Sequence, residues 1–197
     1  GELATETFLK QIQSPQILHI ATHGFFLENI LSVPLLRRNI NSESMSLSAV
    51  EPPLLLTENP LLRSGLALEG FNERQSGDDD GVLTALEATR LNLRGTQLVV
   101  LSACETGLGE VSPGEGIYGL RRAFAIAGAE SLLMSLWQVD DAETQKLMVE
   151  YYANLSNDSG RSDALRKVQI SRIKSEEENS HPYYWSTFIL AGDWRPL

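Results

Sequence analysis

The chain has 197 residues, 26 of them acidic and 16 basic, for a formal net charge of -10. That balance excludes non-specific binding to nucleic acid or to anionic membrane, both of which need basic surface. With 42% hydrophobic residues the length suits one globular α/β domain with its own core.

No apolar run approaches the roughly 18 residues that a membrane helix needs, and no signal peptide is visible. Cys104 is the single cysteine. It cannot form an internal disulfide and fits a reducing compartment, so a cytoplasmic location is expected. Gly1 in place of Met reads as a fragment or processed form, with the whole of 1–197 as the C-terminal domain of a longer protein.

Thr5 to Ser14 carries Phe8, Leu9 and Ile12 at helical spacing and predicts a short helix. "QILHIATHGFF", Gln16 to Phe26, predicts a strand, apolar enough for a parallel sheet covered on both faces. Glu28 to Pro60 holds Pro34, Pro52, Pro53 and Pro60 without a sustained period, and reads as a long loop. Ser64 to Phe71 predicts a short strand, and "NERQSGDDDG", Asn72 to Gly81, an exposed, flexible linker.

Gly81 to Asn92 predicts a helix with Thr84 and Glu87 as a capping box. "TQLVVLSA", Thr96 to Ala103, is the clearest strand. A glycine-rich loop, Gly107 to Gly116, leads into a helix that ends at Gly128 as its C-cap. Glu130 to Trp137 and Ser186 to Asp193 predict strands, and Asp141 to Ser156 and Arg161 to Glu176 predict helices. Strands alternating with helices of this length predict a mostly parallel sheet with helices on both faces.

Ligands of such sheets bind beyond the carboxyl ends of the strands. Two predicted strands end there in capable residues: "ATHG" with His23 and Gly24, and "SACETG" with Cys104. A thiol beside an imidazole is a nucleophile beside a base, because only the thiolate reacts and the imidazole raises its fraction. Glycines next to both let backbone N–H groups approach a substrate oxygen. His19, four residues before His23, is expected inside the strand as a core or supporting histidine, and His181, before Pro182, as structural.

Other motifs carry less. "GEGIYG" matches a dinucleotide-binding glycine pattern but does not directly follow a strand. One cysteine and three scattered histidines lack zinc spacing, and "GDDDG" lacks that of a calcium loop, so no metal or other cofactor is expected. Arg121 and Arg122 read as solvated or ion-paired helix residues.

Five stretches are specific: "ILHIATHGFF", "NPLLRSGLAL", "DGVLTALEATRLNLRGTQLVVLSACETGLGE", "GEGIYGLRRAFAIAGAESLLMSLWQVDDAET" and "HPYYWSTFILAGDW". Together they resemble the CHAT domain, the caspase-like domain associated with tetratricopeptide repeats, which is common in bacteria and similar to separase. The resemblance implies a caspase-like three-layer sandwich. It also implies a cysteine endopeptidase with His23 as general acid/base and Cys104 as nucleophile. The backbone N–H groups of Gly24 and Cys104 would form the oxyanion hole.

Two departures from caspases bear on specificity. Ser102 stands where caspases have Gln, and "SLWQVDD" has Gln138 where they have an Arg that reads an acidic substrate residue. The latter stretch resembles separase more closely. It points to Asp141, with Asp140 as fallback and Ser102 nearby, as an S1 pocket for Arg or Lys. Either aspartate also suits the cap of the helix beginning "DAET". The expected partners are a protein or peptide substrate and a tetratricopeptide-repeat region of the same protein that switches activity. The alternative is a non-catalytic interaction module on a protease-like scaffold.

Overall fold

A computed structural model of the chain describes residues 4–27, 60–105, 115–137, 140–156, 159–175 and 180–197. The elements in chain order are α1 (Glu6–Gln11), β1 (Ile17–Phe26), α2 (Pro60–Arg63), β2 (Ser64–Ala67), β3 (Val82–Thr84), α3 (Ala85–Ala88), β4 (Leu98–Glu105), α4 (Glu115–Ala127), β5 (Ser131–Ser135), α5 (Asp141–Leu155), α6 (Arg161–Ile173), α7 (Pro182–Trp185) and β6 (Phe188–Gly192). The expected loops Glu28 to Pro60 and Gly107 to Gly116 lie outside the described residues except at their ends, where Pro60 opens α2 and Glu115 and Gly116 open α4.

The strands form one six-stranded sheet in the order β3-β2-β1-β4-β5-β6. Its centre, β1–β4–β5, is parallel, whereas β2 against β1, β3 against β2 and β6 against β5 are antiparallel. The sheet is therefore mixed rather than mostly parallel. A parallel connection needs a crossover segment, usually helical. The helix α4 supplies one between β4 and β5. No helix separates β2 from β3, so that pair folds back on itself.

Alternation along the central strands sends side chains to two separate cores. Leu18 and Ile20 of β1 and Val99 and Leu101 of β4 pack with Leu9 of α1, Ala85 and Ala88 of α3, and Leu120, Ala123 and Phe124 of α4. Leu98 and Val100 of β4 and Leu133 of β5 pack on the other face with Leu147, Met148 and Tyr151 of α5 and Ala164, Leu165 and Val168 of α6. Helices on both faces of a central sheet give the three-layer sandwich expected from the sequence.

Local signals explain the boundaries. Thr84 Oγ1 accepts from Glu87 N at 3.2 Å while a Glu87 carboxylate oxygen accepts from Thr84 N at 3.0 Å, the capping box read from the sequence. Its helix is a single turn, and the residues before it, predicted as helix, pair as β3 instead. Gly128 follows α4 at φ +111°, a left-handed stop that favours glycine. His181 caps α7, accepting from Tyr183 N at 3.2 Å, which makes it structural.

The acidic segment before β3 is not a loose linker. Ser76 is buried and accepts from Glu6 N at 2.9 Å. Thr7 Oγ1 donates to Asp79 at 2.7 Å, and Lys10 Nζ reaches Asp79, Glu87 and the buried Glu6 at 2.9, 3.1 and 2.6 Å. The segment closes onto α1 because its charges find partners about 70 residues earlier in the chain. Among the described residues no helix is long and apolar enough to cross a membrane.

Candidate active site

β1 and β4 run parallel in unbroken register from Ile17↔Leu98 to Gly24↔Glu105, and this register pairs His23 with Cys104. Neighbouring strands lie about 4.8 Å apart, so the two residues stand side by side at the carboxyl edge of the sheet. Since β4 extends through Glu105, Cys104 lies within the strand rather than just beyond it. The alternation that sends Leu98 and Val100 to the α5/α6 face places Ser102 on that face, together with His19 and His23 of β1.

His23 is exposed, and so are His19 and Ala21. The upper half of β1 is therefore covered on one face only, not on both as its composition suggests. Gly24 is buried between Leu66 on β2 and Glu105 on β4. The Thr22 hydroxyl, just before His23, donates to the Ala67 carbonyl and ties β1 to β2 there.

Below the pair lies a hydrogen-bonded chain. His19 Nε2 is 3.1 Å from Ser102 Oγ, and His19 Nδ1 is 3.0 Å from the Tyr152 hydroxyl. The His19 and Tyr152 rings lie 5.7 Å apart, tilted by 42°. Part of the His19 ring meets solvent, yet burial against its neighbours holds its pKa below the ordinary value. Burial pushes the Tyr152 phenol up to about 12. Ser102 is half-buried and engaged by His19. His19 is thus a supporting residue of the open face rather than a core histidine. The sequence signal was available in the i, i+4 spacing of two histidines in one strand, but Tyr152, 133 residues from His19, left no local mark.

The two candidate S1 aspartates differ. Asp140 Oδ1 accepts from Ala142 N at 2.9 Å and Glu143 N at 3.2 Å, so it is the N-cap of α5. Asp141 is the first residue of the helix and is exposed. The segment leaving β5 is anchored next to them. The Trp137 indole N–H donates to the Tyr183 carbonyl at 3.1 Å, and the Thr187 hydroxyl donates to the Trp137 carbonyl at 2.9 Å. Gln138 and most of the glycine-rich loop lie outside the described residues. Within "GEGIYG", residues 115–119 belong to α4, and both Arg121 and Arg122 on that helix are exposed.

A cavity of about 700 Å³ is lined by Phe8 of α1, Ile12 just after that helix, Leu68, and the β1 run from Leu18 to Thr22, His19 and Ala21 included. Leu18 and Ile20 belong to the core under α1, α3 and α4.

The chain aligns over 98% of its length with human Tetratricopeptide repeat protein 28 at 28% identity, and over 56% with the mouse protein of the same name at 34% identity. It spans 8% of the human protein, and the mouse alignment covers 4% of that protein. The family model of the CHAT domain matches residues 1–193. A matched segment of that extent, on a sandwich that sets His23 level with Cys104, means that the chain belongs to the CHAT domain family.

Proposed function

We propose that the domain is a cysteine endopeptidase of the caspase and separase type. The observation that carries this is the register of His23 with Cys104 on adjacent parallel strands. His23 takes the Cys104 thiol proton, and the thiolate attacks the scissile carbonyl carbon. The carbonyl oxygen becomes an oxyanion held by the backbone N–H groups of Gly24 and Cys104. The intermediate collapses to a thioester as the C–N bond breaks, and the amine leaves with the proton from His23. Water, losing a proton to His23, then attacks the thioester and restores the thiol.

Asp141 would supply the S1 charge and select Arg or Lys before the scissile bond. Its exposure at the start of α5 supports this, and the capping duty of Asp140 leaves Asp141 as the better candidate. Ser102 would border that pocket from below. The relatives' name mentions tetratricopeptide repeats, and a repeat region of the same protein would be the partner that switches activity.

The second reading is an interaction module on a protease-like scaffold, because a fold hosts a site without requiring it to be active. The test is cleavage of a fluorogenic peptide set varied at P1 by the full-length protein. The endopeptidase reading expects turnover that Cys104→Ala and His23→Ala each abolish. Turnover by neither wild type nor variants, with protein partners still bound, would establish the scaffold reading.

A further inference from the structure

β4 and β5 pair in parallel register from Val99↔Leu132 to Leu101↔Met134, yet β4 runs on beside β1 as far as Gly24↔Glu105. From Ser102 upward β4 therefore pairs with β1 alone among the described residues, and the sheet forks above Leu101. The backbone of Cys104 lies at this fork. His23 of β1 is on one side of it and the segment leaving β5 is on the other.

Thr187 accounts for where the fork begins. β5 pairs antiparallel with β6 up to Ser135↔Phe188, and one step further the Leu136 N–H donates to the Thr187 carbonyl at 2.8 Å. In a ladder alternate residues bond to a given neighbour. Leu136 bonds toward β6, so a continuing strand would turn the Trp137 backbone toward β4. Instead both backbone groups of Trp137 return to Thr187. The Trp137 N–H donates to Oγ1 at 3.3 Å, and Oγ1 donates to the Trp137 carbonyl at 2.9 Å. A hydroxyl can do both because it is donor and acceptor at once. Thr187 is fully buried, so its hydroxyl is shielded from competing water. The Trp137 indole N–H, bonded to the Tyr183 carbonyl at 3.1 Å, adds a second tie to the same stretch.

We propose that Thr187 is a positioning residue for substrate binding: its hydroxyl turns Trp137 out of the ladder with β4 and so holds open the β4 edge along which a substrate backbone enters. The proposal rests on the endopeptidase reading and deepens it. The turned segment runs on to Asp140, which caps α5, so Thr187 and Asp140 hold its two ends. A site edge held at both ends is fixed before substrate arrives, and small displacements of such elements weaken binding or turnover strongly. Without the hydroxyl, both backbone groups of Trp137 lose their partner, and the segment is released to move toward β4 and narrow the fork.

The experiment is steady-state cleavage of a fluorogenic Arg-P1 peptide by the full-length protein, with hydrogen exchange followed over the segment from Ser135 to Asp141. Thr187→Val, which keeps the shape and removes the hydroxyl, should raise KM about fivefold, the scale of one or two hydrogen bonds, and leave kcat within about twofold. It should also speed exchange of the Trp137 amide by about tenfold. Thr187→Ser, which keeps the hydroxyl, should return both KM and exchange to wild-type values. Thermal melts of each variant report folding separately. A merely structural threonine would lower the melting temperature and leave KM in place. An unmoved KM in Thr187→Val overturns the proposal, as does a raised KM that Thr187→Ser does not restore, or an unchanged exchange rate at Trp137. Absence of turnover in the wild type would remove the endopeptidase reading and the substrate role with it. An active wild type with an unmoved KM in Thr187→Val would remove only the role of Thr187.

Discussion

His23 on β1 and Cys104 on β4 are register partners in a parallel strand pair, both at the carboxyl edge of the sheet. The match is enforced from below. Val99 and Leu101 pack into one core while Leu98 and Val100 pack into the other. A one-residue slip of β4 would turn every one of these side chains to the wrong face, so the cores that stabilise the fold also fix the level of Cys104.

The two neighbouring aspartates should separate by phenotype. Asp140→Ala removes the side chain that caps α5 and should cost about 1 kcal/mol, a fall of about 2–4 °C in melting temperature for a domain of this size. Asp141→Ala should leave the melting temperature within a degree or so of wild type and lower kcat/KM for Arg-P1 peptides by about tenfold or more. Calorimetry and peptide kinetics on the same two variants check this. Equal kinetic losses in both variants would contradict the assignment of S1 to Asp141.

Much of this site is legible in the residues themselves. "ATHG" and "SAC" each close an apolar run, and strand ends are where an open α/β sheet places its chemistry. The capping box and the glycine stop after α4 are also local signals, and both are present in the fold. What stays hidden is long-range. The acidic run 78–80 looks like solvated linker until Lys10 and Thr7 are seen beside it, about 70 residues away in sequence. The antiparallel course of β2 and β3 is likewise invisible, since a short apolar run does not encode its direction. Tyr152 reads as one more residue on an amphipathic helix, and only the fold sets it against His19.

Lys10 should govern the acid sensitivity of the fold. The Lys10 ammonium, then the Thr7 hydroxyl, hold the Asp79 carboxyl below its ordinary value. For Glu87, burial pushes upward but the bonds from Thr84 and Lys10 outweigh it, and the net direction is down. The stability from these two is complete above the unfolded carboxylate range of about 4 and is lost as pH falls through their lower folded values. Glu6 runs the other way: burial holds its carboxyl above the ordinary value, so its contribution is lost as pH rises through that higher value. In Lys10→Met all three carboxylates lose their cation. The variant should be less stable than wild type by about 1–2 kcal/mol at pH 7, and the gap should close as pH falls from about 5 to 3. Denaturant titrations across that range check it. A gap independent of pH would rule out the ion cluster as its source.

Gly128 should tolerate no side chain. Its φ is +111°, and a Cβ there would lie 2.9 Å from the Arg94 backbone nitrogen. Gly128→Ala should therefore destabilise the domain by about 2 kcal/mol or more. Equilibrium denaturation measures this directly, and a neutral result would mean that the stop after α4 is not held in the left-handed conformation.

The measurement that bears most directly on the central claim is covalent labelling of the full-length protein with a peptidyl acyloxymethyl ketone carrying Arg at P1, mapped by mass spectrometry. The account predicts adduct on Cys104 alone, lost in Cys104→Ala and slowed by about 100-fold or more in His23→Ala. Labelling of Cys104 at the same rate with and without the His23 imidazole would contradict it, because the register of the two residues would then have no chemical consequence.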